Sequence, residues 1–373
     1  MTFHVKDFRK PGMNDDDCIA ACLSHCRRRG GDAPVTLVFD AGEWRVSSAI
    51  LLSDDMTLIL DGARVKQNDG AFDNVFRGDN LEIDPEDPFG WPLSVRPLKN
   101  VKILGKNGAE ISGPGLNRRG FHTVLRNEQD MTGDFWGWRT LQICLSKCDG
   151  FEIAGLSFTN TRCWAMAFDL CCNGEVHDIH FDSRVKNGDG IDFEPGCHHC
   201  KVWNIRGRTS DDSVALHALV MGDEYPLRNY LYPMKPALHF PKEIFPEGFK
   251  PQDLDIHDIE ISDVETSGDH HGLVLIAYEG IQIYNVAVRN IRESGEGKRW
   301  ATVSLYTGWG YSEGYRSGDM HDIDIDGVSA EYAACAFECR DAAVRNVRVR
   351  NLSHKKAGAK VCSVSYPEGI TVL

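Results

Sequence analysis

The 373-residue chain lacks any apolar run of the roughly 18 residues that a membrane-spanning helix requires. It also lacks basic charge: 41 Lys and Arg against 55 Asp and Glu leave a net charge of −14. That balance disfavours a nucleic-acid binder, which needs a basic face. The opening Met-Thr-Phe-His-Val-Lys-Asp has no apolar core of a secretory signal. The expectation is a cytoplasmic protein, or a secreted one if a leader has been removed. Helical patterning is scarce as well. Only one segment, within 14–30, carries it: Asn14 or Asp15 can cap the start, and Cys18, Ile19, Cys22, Leu23 and Cys26 line one face. Arg27 to Arg29 then meet the negative end of the helix dipole, and Gly30 supplies the stop.

What is present in quantity is cysteine and apolar residues. Hydrophobic residues make up 42% of the chain, enough at this length for a sizeable core, and one domain spanning 1–373 is expected. The 13 cysteines sit in apolar stretches such as Ile143-Cys144-Leu145 and Leu170-Cys171-Cys172, as small buried hydrophobes in a reducing compartment do. Cys197-His198-His199-Cys200 has metal-ligand chemistry, but no second ligand pair stands at a recognisable spacing. No metal site and no cofactor are assigned.

Beyond the helix the chain turns to short β-branched runs such as Val35-Thr36-Leu37-Val38-Phe39. A four-residue marker, apolar–any–Asp/Asn/Gly–apolar, recurs at Ile153, Val176, Val202, Ile256, Ile283, Met320 and Val344. The steps between markers are even apart from two longer ones, from Val202 to Ile256 and from Ile283 to Met320, each a coil plus an insertion. A period near 25 with several strands per repeat fits a parallel β-helix, where a propeller would need about 40. The predicted fold is therefore all-β, a parallel β-helix solenoid with a short N-terminal capping helix. Asp178, Asn204, Asp258, Asn285, Asp322 and Asn346 share the marker position, and turn and ladder hydrogen bonding accounts for them. Three stretches interrupt the repeat: 78–98, 116–139 and 221–253, the last holding six of the 15 prolines. Long loops on a rigid scaffold often carry binding residues. Their aromatics could equally pack against the coil wall.

Two coils carry acids off the marker register. One reads Asn187-Gly188-Asp189-Gly190-Ile191-Asp192, the next Asp211-Asp212-Ser213-Val214-Ala215, with Asp189 close to one repeat period before the pair. One coil of separation stacks the three carboxylates on one surface. Neighbouring residues of a regular strand point to opposite faces, so Asp211 and Asp212 meet only if a turn or bulge falls there. Crowded carboxylates raise one another's pKa, leaving one acid protonated beside ionised neighbours, the equipment of glycoside hydrolysis. Oxygen clusters also hold calcium, and at this point both readings stand.

These elements resemble glycoside hydrolase family 28, the polygalacturonase family of right-handed, pectin-lyase-like β-helices. Its members carry Asn-Thr-Asp-Gly, Asp-Asp about one coil later, then Gly-His-Gly and Arg-Ile-Lys. Asn187-Gly188-Asp189-Gly190 matches the first with Gly for Thr, Asp211-Asp212 the second, and His271-Gly272 the third once 221–253 is set aside. The helix of 14–30 and Val38-Phe39-Asp40-Ala41-Gly42 resemble the family's N-terminal cap and first coil. The resemblance implies that Asp211 is the general acid, that Asp189 and Asp212 hold the attacking water, and that His271 hydrogen-bonds the acid. It implies an inverting hydrolase. Asn187, His217 and His270 are candidate sugar contacts, and Tyr306 and Trp309 are candidates for a sugar platform or equally for aromatics of the coil wall. Ser304-Leu305-Tyr306 stands where Arg-Ile-Lys should be, so the uronate-binding cations are missing and that subsite is expected to take a neutral or differently charged sugar; the substrate expected is a galacturonide or a related neutral sugar. Lys298 and Arg299 lie just before that strand. A cytoplasmic location would favour exo-action on an imported oligosaccharide. The alternatives are a β-helix lyase or epimerase and a non-catalytic glycan-binding β-helix. No nucleic-acid or membrane partner is expected.

Overall fold

The computed structural model describes residues 1–30, 33–69, 71, 73–83, 92–114, 141–185, 187–218, 251–277, 281–297, 299–307, 319–340 and 344–373. The predicted loop of 116–139 lies outside them. So does the 221–253 loop, save for Pro251–Leu254, one 3-10 turn. Among the described residues the strands form two large parallel sheets of 16 and 10 strands, and Leu81–Ile83 pairs antiparallel with Pro92–Val95.

From Cys148 on, the chain alternates between the two sheets, save for the short strand Ser157–Thr159, which stays in the first. The odd-numbered strands belong to the first sheet: β1 Cys148–Ala154, β3 Cys172–Asp182, β5 His198–Arg208, β7 Ile256–Ser267, β9 Ile283–Glu293, β11 Met320–Ala330 and β13 Arg345–His354. The even-numbered strands belong to the second: β2 Met166–Asp169, β4 Ile191–Phe193, β6 Val214–Ala218, β8 Leu273–Ala277, β10 Ala301–Thr307 and β12 Cys335–Arg340. Each strand pairs in parallel with the equivalent strand one coil on. This is the predicted parallel β-helix.

Like residues stack in the interior. Val176, Val202, Ile261, Val288, Ile325 and Val349 form one buried file down the first sheet. Phe168 stacks on Phe151 at 4.6 Å between ring centroids and packs on Phe193 at 5.3 Å. Each such side chain removes enough apolar surface from water to contribute about 1.5–3 kcal/mol. The helix Asp15–Gly30 covers the first coils with the expected face, Cys18, Ile19, Cys22, Leu23 and Cys26 all being buried. Asn14 is its cap, accepting from the Asp17 amide at 2.8 Å.

The marker residues are more finely divided than the sequence suggests. Each long strand crosses the left-handed region twice, so there are two ladders. Gly155, Asp178, Asn204, Asp263, Asn290, Gly327 and Asn351 form one. Asp55, Asn100, Gly150, Asn173, His199, Asp258, Asn285, Asp322 and Asn346 form the other. Asn side chains donate to the Asp one coil before, as Asn290 does to Asp263 at 3.1 Å and Asn100 to Asp55 at 2.7 Å. The ladder explanation of these polar residues holds, but the seven markers mix two registers.

The same register explains Cys197-His198-His199-Cys200. It is a ladder segment whose cysteines fill the apolar positions, like Cys148 and Cys171 in the preceding coils. Cys197 and Cys200 are buried in the core, so they cannot meet the two imidazoles on a common ion. His198-His199 opens β5, with His198 half-buried and His199 exposed.

Candidate functional site

The turns that precede β4, β6, β8 and β10 stack on one another, and the candidate residues lie in them. The Gly190 amide donates to the Asp212 carbonyl at 2.9 Å, and the Ser213 amide to the His271 carbonyl at 3.0 Å. Asp189, Asp212 and His271 thus occupy successive steps of one staircase. Glycine is required here for space. A Cβ on Gly190 would lie 2.4 Å from the Ser213 carbonyl oxygen, and one on Gly188 would lie 2.2 Å from Ser183 Oγ. The glycine at 188 is therefore dictated by this chain's own packing. Asn187 takes the left-handed turn that opens the segment, at φ 53°.

Asp211 and Asp212 do not sit on a regular strand. They form a bend before Val214, which resolves the opposite-faces problem and lets both carboxylates emerge together. A hydroxyl network holds the bend: Thr209 Oγ1 donates to the Asp211 carbonyl at 3.0 Å, and Ser213 Oγ lies 2.8 Å from Thr209 Oγ1 and 2.7 Å from Thr266 Oγ1. Beneath it, buried Arg299 donates to the Thr266 carbonyl at 3.0 Å, to Thr266 Oγ1 at 3.0 Å and to Ser213 Oγ at 3.1 Å. Burial pushes its pKa down to about 10. Arg299 is a support under the turn rather than a groove cation, and Lys298 lies outside the described residues.

One oxygen from each of Asp189, Asp211 and Asp212 lies within 4.8 Å of the others. Asp212 Oδ1 accepts from the His271 amide at 2.9 Å and lies 2.7 Å from His271 Nδ1. The expected bond from His271 to Asp211 is therefore corrected: His271, 1% exposed, serves Asp212. His270, turned outward by the backbone, has its Nδ1 3.1 Å from Asp211 Oδ1.

The three environments drive the carboxyls apart. Burial, then the charges of Asp211, Asp192 and Asp212, hold Asp189 well above the usual carboxylate range. Burial and the neighbouring Asp212 raise Asp211 to about 6 against the pull of the histidines. Burial also pushes Asp212 upward, but the charge of His271 and its hydrogen bond outweigh it and leave Asp212 below its ordinary value. One ionised carboxylate thus stands beside two that keep protons toward neutrality. A calcium ion would need six to eight oxygens, and one of the three carboxylates is already committed to His271. The donor set suits proton transfer better than a hard cation.

The outer face of the second sheet forms the floor beside these turns. Glu194 follows β4, and His217 on β6 places its Nδ1 3.2 Å from Glu194 Oε1 and 4.0 Å from Asp192 Oδ1. Burial lowers the His217 pKa, but the bond to Glu194 and the nearby acids raise it overall. Further along, Tyr306 on β10 packs its ring 6.1 Å from that of His271, and Trp300 lies 5.7 Å from His270. Arg340 on β12, one coil beyond Tyr306, spreads its guanidinium over both rings, 5.0 Å from Trp300 and 5.1 Å from Tyr306.

The structure thus gathers Asp189, Asp211, Asp212, His270, His271 and Tyr306 at one place, with His217 on the adjoining floor. Trp309 lies outside the described residues. Sequence reasoning missed Trp300, Glu194 and Arg340. Arg340 could have been found only from the Tyr306–Arg340 register, which the long stretch of chain between them obscures.

No family model matches the chain, and no curated protein sequence matches it. Solved structures do. A hyperthermoactive exopolygalacturonase from Thermotoga maritima is 15% identical, with 95% of this chain and 88% of that one covered at a TM-score of 0.54. The iota-carrageenase of family GH82 from A. fortis is 10% identical, covering 99% and 91% at 0.62. A mutant tailspike protein of E. coli bacteriophage HK620, in complex with a pentasaccharide, is 16% identical, covering 100% and 59% at 0.63. At these identities the likeness is one of fold. The chain is a right-handed parallel β-helix.

Proposed function

We propose that this chain is a glycoside hydrolase acting on an oligosaccharide at the Asp189–Asp211–Asp212 cluster. The observation that carries the reading is the divergence of three adjacent carboxyls, with Asp211 at about 6 and Asp212 held ionised by His271. A general acid needs a pKa near the working pH, and its partner base must be ionised in the same state. In this reading Asp211 protonates the leaving oxygen. Asp212 takes the proton of the attacking water, and Asp189, itself protonated, orients that water without accepting its proton. Tyr306 and Trp300 offer ring faces to the sugar. That several β-helices of like fold are named for glycan hydrolysis or were solved with a bound glycan adds support.

Inversion is the stereochemistry that the motif resemblance implies, and exo-action follows if the enzyme is cytoplasmic and meets imported oligosaccharides. Inverting pairs stand about 6.5–9.5 Å apart and retaining pairs about 5–5.5 Å, and inversion and retention release opposite anomers. The anomer first released, read by proton NMR, separates the two. The substrate is a galacturonide or a related neutral sugar, and Arg340 gives an anionic substituent a partner despite Ser304-Leu305-Tyr306.

A panel of aryl glycosides and oligosaccharides, uronate and neutral, tests the reading. Wild type should release a sugar, and Asp211→Asn should lose on the order of 10²–10⁴-fold in rate. An unsaturated, ultraviolet-absorbing product would mark a lyase. Tight glycan binding with no turnover on any substrate would leave a binding β-helix.

A further inference from the structure

The outer face of the first sheet carries a second convergence of ligating side chains. The ladder position of His199 is filled in neighbouring coils by Asn, Asp or Gly: Asn100, Gly150, Asn173, Asp258, Asn285, Asp322 and Asn346. These residue types enter the left-handed region at least cost. Among the ladder's described residues, His199, at φ 55°, is the one imidazole, and it stands directly beside Asp258 of the next coil. Its Nε2 lies 3.6 Å from Asp258 Oδ2, while His257 Nδ1 lies 2.7 Å from the same oxygen. One ligating atom from each of His199, His257 and Asp258 falls within 4.8 Å of the others.

The geometry points to a divalent-metal clip formed by His199, His257 and Asp258, taking zinc or a similar borderline ion and fastening β5 to β7. Tetrahedral zinc, with ligands at about 2.0–2.2 Å, sets ligand atoms about 3.4 Å apart, between the two distances above. Imidazole and carboxylate donors suit zinc, copper or nickel rather than calcium, and three protein ligands leave a fourth position to solvent.

The surroundings hold the ligands in place. The His257 ring is stacked between His198 and Tyr284, each 4.9 Å away and within 8° of parallel. Asp258 Oδ1 accepts from Asn285 at 3.1 Å, leaving Oδ2 toward the imidazoles. His198 and His199 bring their Nδ1 atoms to 2.8 Å, so only one carries the shared proton. When His199 donates it, the bare His199 Nε2 faces a carboxylate oxygen, and a cation between them relieves that opposition. The ligands are far apart in sequence, on the coils before and after the 219–250 segment. A clip there closes a long loop, where crosslinks act most strongly on the unfolded chain.

Zinc titration of metal-free protein by calorimetry, with thermal melts, tests this independently of hydrolysis. Wild type should bind zinc at this site and melt higher with it. His199→Asn, which restores the usual ladder residue, should fold normally, lose at least about tenfold in zinc affinity and lose the metal-dependent rise in Tm. Asp258→Asn should behave likewise, and hydrolysis by His199→Asn should be unchanged. Three results would overturn the clip: no zinc binding by wild type, full binding by His199→Asn, or binding lost in His270→Ala instead. A thiolate charge-transfer band with cobalt would also count against it.

Discussion

At the residue scale the site turns on which carboxyl keeps its proton. In the proposed reading Asp211 acts as the protonated acid, so activity should fall as pH rises through about 6. The acid limb should lie below the ordinary carboxylate range, because Asp212 is lowered. His270 pulls Asp211 down, so His270→Gln should move the alkaline limb upward, measurable in kcat/KM against pH. Stability carries the opposite sign from the usual salt-bridged carboxylate. A folded pKa raised from 3.8 to about 6 contributes stability below the unfolded value, and this is lost as pH rises between the two. Above that window the half-buried anion is a liability. Asp211→Asn should therefore stabilise the fold at pH 7–8 by on the order of 1–3 kcal/mol, with no gain at pH 4. Thermal melts at both pH values check it.

At the element scale, stability lies in the ladders. Asn290→Val puts a branched side chain at φ 57° and removes the bond to Asp263, and should cost about 2–3 kcal/mol in chemical denaturation. Asn290→Gly keeps the backbone conformation and should stay within about 1 kcal/mol. The repeat itself was legible in sequence because each coil writes the same apolar frame around Asn, Asp or Gly. That one strand crosses the left-handed region twice was not legible. The two crossings carry the same residue types, so Val202-Trp-Asn-Ile205 and Ile256-His-Asp-Ile259 look equivalent and belong to different ladders. The Asp211-Asp212 bend escaped the period-two rule for a similar reason. It is set by Thr209 and Ser213 beside it and by Thr266 and Arg299, which come from later coils. The carboxylate cluster was readable from one-coil spacing, but the pairing of His270 with Asp211 and His271 with Asp212 depends on which way the backbone turns.

At the scale of the molecule, a stack of coils must be closed at its ends. The N-terminal segment does this with the buried face of its helix, with the strand Thr2–His4 paired to Val35–Phe39, and with Asp16, which accepts from the Ser47 amide at 2.9 Å. Removal of residues 1–30 should expose an open coil and shift the protein to oligomers or aggregates in size-exclusion chromatography. The fold was legible from the repeat because stacking imposes one rule on the whole chain. Substrate choice was not, because the groove is completed by side chains such as Arg340 and Trp300, which no repeat position marks.

The central claim is that water adds across a glycosidic bond at the aspartate cluster. Digestion of a cleaved oligosaccharide in ¹⁸O-labelled water, by wild type and by Asp211→Asn, tests it most directly through the masses of the products. The expected result is a saturated product carrying one ¹⁸O from wild type and almost none from the variant. An unsaturated product without label, or full labelling by Asp211→Asn, would contradict it.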